Sequence, residues 1–322
     1  MNRRGLLALG LAVPALRARA QGAAWSPPRT VRMVVPYPPG GGADTTARLL
    51  AGPLGAFLGQ AVVVENRPGA ASTIGAGEVA RSVPDGTTLL LDSAGHVMAP
   101  VLIRDLTFDY ATAFTPISQV IILPQVLAVR ADSPYRTLEA LLTKAKAEPG
   151  HITFASSGNG GAQHVTGVLL WRRAGVEMTH VPYRGGAPAM QALLAGDVDC
   201  VVATITSSLA LAQQGQVRAL GATSAQRISS LPDVPTIAEQ GFPGFDQNEW
   251  NGVLGPAGLP APAVARLHEG CALALRDPTV QQRLEALGAV PLGTDPAVFS
   301  AFLTRERQVM ARLAQEAGIT VD

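Results

Sequence analysis

Three glycines follow two prolines in VPYPPGGGADTTARLL, residues 35–50. An apolar run precedes them and helical spacing follows, so the stretch reads as a strand-to-helix turn. Glycine lets the backbone approach a bound group closely, and the first N–H groups of a helix lack intrahelical partners. The chemistry on offer is anion binding at the positive end of a helix dipole. Candidate contacts are Tyr37, Pro39, Gly40, Gly41, Gly42, Ala43, Asp44 and Thr45. ASSGNGGAQH (155–164) is a second such turn. There Ser156, Ser157 and Asn159 add side-chain donors to Gly158, Gly160, Gly161 and Ala162, and His164 follows. DSAGH (92–96) contributes Ser93 and Ala94, and YRGGAP (183–188) contributes Arg184 and Gly185. Arg184 either pairs with a ligand acid or is simply solvated. Tyr37 and Trp250 either wall a pocket or pack in a core. All four turns sit at C-terminal strand ends, where open α/β sheets bind ligands.

A nucleotide is the first rival for these turns. Gly40, Gly42 and Thr45 give G-x-G-x-x-T after a strand, with Glu65 ending the next strand 23 positions after Gly42. Thr45 stands where the helix-packing glycine of a dinucleotide unit belongs, and Pro38-Pro39 stiffens the turn. No Gly-Lys-Ser/Thr follows, which excludes a P-loop. Catalysis finds no support: no serine lies in G-x-S-x-G and there is no H-E-x-x-H. His96, His151, His164, His180 and His268 lack metal-ligand spacing. No catalytic residue, metal or cofactor is expected.

The elements that carry these turns alternate. Strands at 31–37, 61–67 and 87–93 are separated by helical stretches. Asp44 is expected to N-cap the first helix, and Pro53 to restrict or kink it. FTPISQVIILPQVLAVRAD (114–132) reads as one long strand leaving a first sheet for a second. A second α/β series follows, with strands at 151–157, 179–184, 198–204 and 216–224. A return strand at 248–258 and a helical tail complete the chain. The fold class is α/β: two lobes joined by two crossing strands, with a ligand cleft between them that closure seals. The expected lobes are 21–121 with 250–322, and 122–249.

The chain of 322 residues is comfortable for two lobes, and its 47% hydrophobic content is too apolar for disorder. A net charge of +1 argues against nucleic acid. Residues 1–20 have a basic start at Arg3 and Arg4, an apolar run, and small residues at Ala18 and Ala20. This is the layout of a cleavable export signal, through either the general or the twin-Arg route. The mature chain is expected to begin near Gln21 with a charge of about −3, and no later run reaches membrane length. Cys200 and Cys271 either pair or are small buried residues, one on a strand and one on a helix.

Over essentially its whole mature length the sequence resembles the extracytoplasmic solute receptors of tripartite tricarboxylate transporters, the Bug or TctC-like family. The resemblance lies in VRMVVPYPPGGGADTTARLLA, VVVENRPGAASTIGAGEVARSVPDGTTLLL, ITFASSGNGGAQH, HVPYRGGAPAMQALLAGDVD, VRALGATSAQRISSLPDVPTIAEQGFPG and WNGVLGPAGLPAPAV. It implies a periplasmic binding protein of the type II architecture. It implies a small organic acid held by its carboxylate between the 38–45 and 156–164 loops, with help from ordered water. It also implies delivery to the permease subunits of such a transporter. The rival readings are an exported α/β enzyme acting on a small acid and a receptor that feeds a sensor kinase. The mature chain is expected to be a monomer that does not insert in the membrane.

The sequence departs from the family pattern at two places. Gly161-Ala162 stand where a hydroxyl residue is frequent, and Ala203-Thr204 where an Asp-Asn pair is frequent. With these side chains gone and no carboxylate evident in the cleft, an acid without an amino group is expected, either a dicarboxylate or an aromatic carboxylate. Arg184 would hold a second acid group. Asp44 is the first alternative acceptor for an ammonium. Valine at Gly41 or Gly160 is expected to block the anion.

Overall fold

The computed structural model describes residues 25–103, 105–159 and 161–317. The expected export signal and Gly160 lie outside the described residues.

In the first lobe, β1 (Val31–Val35) is central to a parallel set with β2 (Val62–Asn66) and β3 (Thr88–Asp92). Its sequence VRMVV is buried on both faces, as a parallel strand requires. Between the strands run α1 (Gly42–Leu58), α2 (Thr73–Ala80) and, after β3, α3 (Gly95–Leu102). Ala43, Ala47, Leu50, Leu54 and Leu58 form the buried stripe of α1 at helical spacing. The helix continues through Pro53, which follows exposed Gly52.

The strand β4 (Phe114–Arg130) then changes partners along its length. Phe114–Pro124 pairs antiparallel with β9 (Asn248–Pro256). Gln125–Arg130 pairs with β7 (Cys200–Thr204) and β8 (Val217–Ala222). The long apolar run at 114–132 therefore does leave one half of the sheet and enter the other. The second lobe adds β5 (Thr153–Ser156) and β6 (Thr179–Pro182), with helices α4 (Leu138–Ala147), α5 (Ala162–Ala174), α6 (Gly186–Ala195) and α7 (Ile205–Gln213). The strand path is β2-β1-β3-β9-β4-β7-β5-β6. The chain closes on the first lobe with α8 (Ala261–Arg276), α9 (Pro278–Ala286), β10 (Val290–Pro291) beside β4, and α10 (Pro296–Ala317).

Two helices escape the sequence pattern. Periodicity over the eight residues of α3 is blurred by Pro100 in its interior. The helix α7 is built from ITSSLALAQ, whose β-branched and hydroxyl residues read equally as strand or loop.

Apolar side chains pack on both faces of each half of the sheet. One cluster joins Val31, Leu50 and Leu54 to Leu267 and Cys271 of α8, and another joins Val34, Leu90 and Trp250 to Phe299 and Leu303 of α10. Val165 of α5 belongs to this second cluster, so the lobes touch beside the cleft. Cys200 on β7 and Cys271 on α8 are both free and buried. Burial pushes the Cys271 thiol up to about 12. Neither is a reactive thiolate.

Candidate functional site

The turn into α1 rests on glycine for two different reasons. Gly40 has φ +83°, a conformation that side chains resist. Gly41 is extended (φ −76°, ψ 171°) and forms the N-cap without any side-chain hydrogen bond, so no side chain covers the helix end. Asp44 is not the cap. It sits in the first turn, 3% exposed, and its carboxylate turns back to accept from Gly40 N–H at 2.8 Å. Arg48 Nε at 3.0 Å and Asn66 Nδ2 at 2.9 Å complete its partners. Burial raises the Asp44 carboxyl, but the bonds from Arg48, Gly40 and Asn66 outweigh it and hold it below the ordinary range.

The turn into α5 repeats this backbone with neutral braces. Gly161 is an extended N-cap (φ −72°, ψ 166°), again with no side-chain bond. Ser156 Oγ lies 2.7 Å from His180 Nε2, and Ser157 Oγ donates to Gln163 Oε1 at 2.5 Å. His164 stacks on His180 with ring centres 3.8 Å apart and an angle of 6°. Burial lowers both imidazoles, and His164 lowers His180 further, to about 4. The pair is neutral at physiological pH.

These turns face two adjoining chambers. The inner one, about 300 Å³, is bounded by Gly40, Gly42, Thr45 and Thr46 from the α1 side and by Ala203 and Thr204 at the end of β7 and Thr206 at the start of α7. The outer one, about 560 Å³, is bounded by Tyr37, Ser72, Ser93 and Ala94 on one side and by Asn159, Gly161 and Ala162 on the other. Ser157, Gln163 and Glu249 belong to both and form the partition. Tyr37 is locked at the edge: its hydroxyl donates to Asp92 Oδ1 at 2.8 Å and accepts from Gly95 N–H at 3.2 Å. Burial and the Asp92 charge push the phenol well above its usual range. Ala71 and Ser72 line the outer chamber with φ +49° and +76°. Strain of this kind in non-glycine residues tends to gather at functional sites.

Several expected residues are not brought to either chamber. Pro39, Gly41, Ala43, Asp44, Ser156, Gly158 and Gly185 shape the turns without lining the cavity, and His164 packs on the lobe-two sheet. Arg184 is exposed and lines neither chamber. Trp250, 2% exposed, points to the opposite face of the sheet and packs edge-on against Phe299 and Phe302. Gly41 has ordinary backbone angles, and a Cβ there would lie 3.5 Å from the Pro38 carbonyl. Valine at Gly41 therefore meets neither a forbidden angle nor the chamber, and Gly40 and Gly42 are the glycines of this turn that face it.

The expectation of a cleft without a carboxylate also fails. Side chains alternate along β9, so Glu249 and Asn251 face α1 while Trp250 faces α10. Thr46 Oγ1 lies 2.9 Å from Asn251 Oδ1, and Gln163 Nε2 donates to Glu249 Oε2 at 3.0 Å. Burial pushes the Glu249 carboxyl above the ordinary glutamate range, against the lowering bond from Gln163. The alternation of NEWNG was the signal for Glu249. Gln163 had no such signal, since its role depends on a strand 86 positions away. Among the described residues, no Arg, Lys or His lines either chamber.

A family model described as "Tripartite tricarboxylate transporter family receptor" matches residues 46–319. The chain belongs to this receptor family. Among its relatives is Protein BugT of Bordetella pertussis, 35% identical over 91% of this chain and 90% of BugT. Two solved structures align closely. MatC from Rhodopseudomonas palustris with bound malate is 33% identical, has a TM-score of 0.73, and covers 89% of this chain and 99% of its own. An R. palustris protein with adipate is 33% identical, has a TM-score of 0.77, and covers 92% of this chain and 99% of its own. Receptors of this family are periplasmic solute-binding proteins rather than enzymes. Among the described residues of this member, no helix is long and apolar enough to cross a membrane.

Proposed function

We propose that this receptor captures a small organic acid in the two-chamber cleft and hands it, unchanged, to the permease subunits of a tripartite tricarboxylate transporter. The observation that carries the reading is the pairing of two helix starts. The starts of α1 and α5 have glycine N-caps of the same extended geometry, neither has a side-chain cap, and their turns border one cavity. Each helix end carries a partial charge of about +0.5, which suits a carboxylate in a cleft that, among the described residues, no cationic side chain lines. Malate and adipate in the related structures fit the same class. We assign the moving lobes as 21–121 with 250–322, and 122–249. The change of partners along β4 after Pro124 and the start of β9 at Asn248 support a hinge there.

A thermal-shift panel of mono- and dicarboxylates tests the reading. A true ligand at 100 times its Kd stabilises the native state by about 2.7 kcal/mol, and NMR should recover it chemically intact. An acid that is consumed would make the protein an enzyme, and a panel without any stabilising acid would end the carboxylate reading.

A further inference from the structure

Glu249 lies on the partition shared by both chambers. Among the described residues only Gln163 hydrogen-bonds to it, through Nε2 to Oε2. Gln163 is itself oriented, because Ser157 Oγ donates to its Oε1. The amide face turned toward Glu249 is thus a donor, and a donor favours the ionised carboxylate. The second oxygen, Oε1, receives no bond from the described residues. Among the described residues, no side-chain cation lines either chamber. A half-buried carboxylate that faces the chambers in this way lacks the counter-charge that such groups ordinarily have. Asp44 is not in this position, since Gly40, Arg48 and Asn66 already satisfy it outside the chambers.

We propose that Glu249 is the specificity-determining residue of the cleft and receives an ammonium group, so that the preferred ligands are acids carrying a cationic amino nitrogen as well as the carboxylate. The inference rests on the carboxylate reading above and names the ligand class of the same cleft. Charge favours it: a plain acid would place a second negative charge near Glu249, whereas a zwitterion adds none. Hydrogen bonding favours it as well. An ammonium has three N–H donors. Glu249 Oε1 takes one, and the hydroxyls of Thr45, Thr204 and Thr206 bound the same inner chamber.

The test is calorimetry on the mature protein and on Glu249→Gln, which keeps the shape and removes the charge. The probes are acids that differ only in the amino group: succinate with aspartate, glutarate with glutamate, and 4-methylpentanoate with leucine. The wild type is expected to favour the amino-bearing member of at least one pair, and Glu249→Gln to lose that preference by at least roughly tenfold. Binding of the plain acid should hold or tighten in the variant, which shows that its fold and glycine turns are intact. Wild-type preference for the plain acids overturns the inference and leaves the carboxylate reading standing. An amino preference that survives in Glu249→Gln also overturns it. If none of the six acids binds, and the wider panel of plain and amino-bearing acids also fails, both readings fall.

Discussion

The turn into α1 and the turn into α5 share a backbone and differ in what braces it. Both place an extended glycine at the N-cap and leave it without a side-chain bond. The first is held by a charged group: Asp44 ties Gly40, Arg48 and Asn66 together. The second is held by hydroxyls, an imidazole and an amide, through Ser156 with His180 and Ser157 with Gln163. The first brace lies within one lobe and has no link to the partition. The second runs from Ser157 through Gln163 to Glu249 on the crossing strand β9. A carboxylate brace is strong and indifferent to a neighbouring anion only when it is already saturated, as Asp44 is. A neutral brace can face the cavity directly and change partners as a ligand arrives. On this comparison the α1 turn is the charge-braced wall of the cleft, and the α5 turn is the neutral-braced one that is tied to β9.

The largest effect should come from filling the chambers. Valine at Gly42 would place its Cβ 3.7 Å from Leu123 Cδ1, an ordinary contact, with its methyls entering the inner chamber. Valine at Gly161 would sit 3.6 Å from the Gly158 carbonyl at the outer chamber. Each is expected to weaken acid binding by at least about 100-fold, or about 2.7 kcal/mol, with the fold intact by circular dichroism. If calorimetry shows a loss at one turn alone, the two helix starts do not act as a pair.

The braces should differ in stability next. Asp44→Ala strands the Gly40 N–H and takes one partner each from Arg48 and Asn66, and urea melts should show a loss of roughly 1–3 kcal/mol. Ser156→Ala removes only neutral bonds, to His180 and to the Gly158 backbone, and should be milder, about 1 kcal/mol. Equal losses would remove the distinction between a charged and a neutral brace.

Acid should then separate the turns by pH. His180 titrates near 4 in the folded protein and near 6.5 when unfolded. Between those values the unfolded chain binds more protons, so this stability is whole above pH 6.5 and fades as pH falls toward 4. His180 is half-buried, so after solvent screening the loss is on the order of 1 kcal/mol. Asp44 titrates below its ordinary 3.8 when folded, so its contribution holds above pH about 4 and disappears only at lower pH. Melts from pH 7 to 4 should slope in the wild type and slope less in His180→Gln, where His164 alone remains of the pair. An undiminished slope would assign it elsewhere.

The smallest effect is expected at Arg184. It is exposed beside the lobe-two turns and lines neither chamber. Arg184→Ala should change affinity by less than about twofold. A larger loss would mean that closure brings a cation to the α5 side.

Much of the site's framework was legible in the chain. The glycine turns at 38–42 and 158–161, the strands that feed them and the long strand through 114–130 follow from local rules that need no tertiary knowledge. What failed was orientation. Asp44 has the residue type of an N-cap, yet Gly41 occupies that position and the acid serves from within the helix. His164 follows a glycine turn, yet its ring stacks on His180 on the sheet.

The sequence by itself therefore determined where the glycine turns lie, because the backbone demands of a turn are met by residues next to one another. It also determined that residues 249 and 250 face opposite ways, since a strand alternates strictly. Only the tertiary structure decided which of the two meets the cleft. Phe299 and Phe302, from α10 near the end of the chain, claim Trp250 for the core. Burying so large an aromatic surface outweighs exposing one carboxyl to a polar cavity. Glu249 is thereby turned to Gln163 and the cleft, a consequence of packing between segments that no local pattern connects.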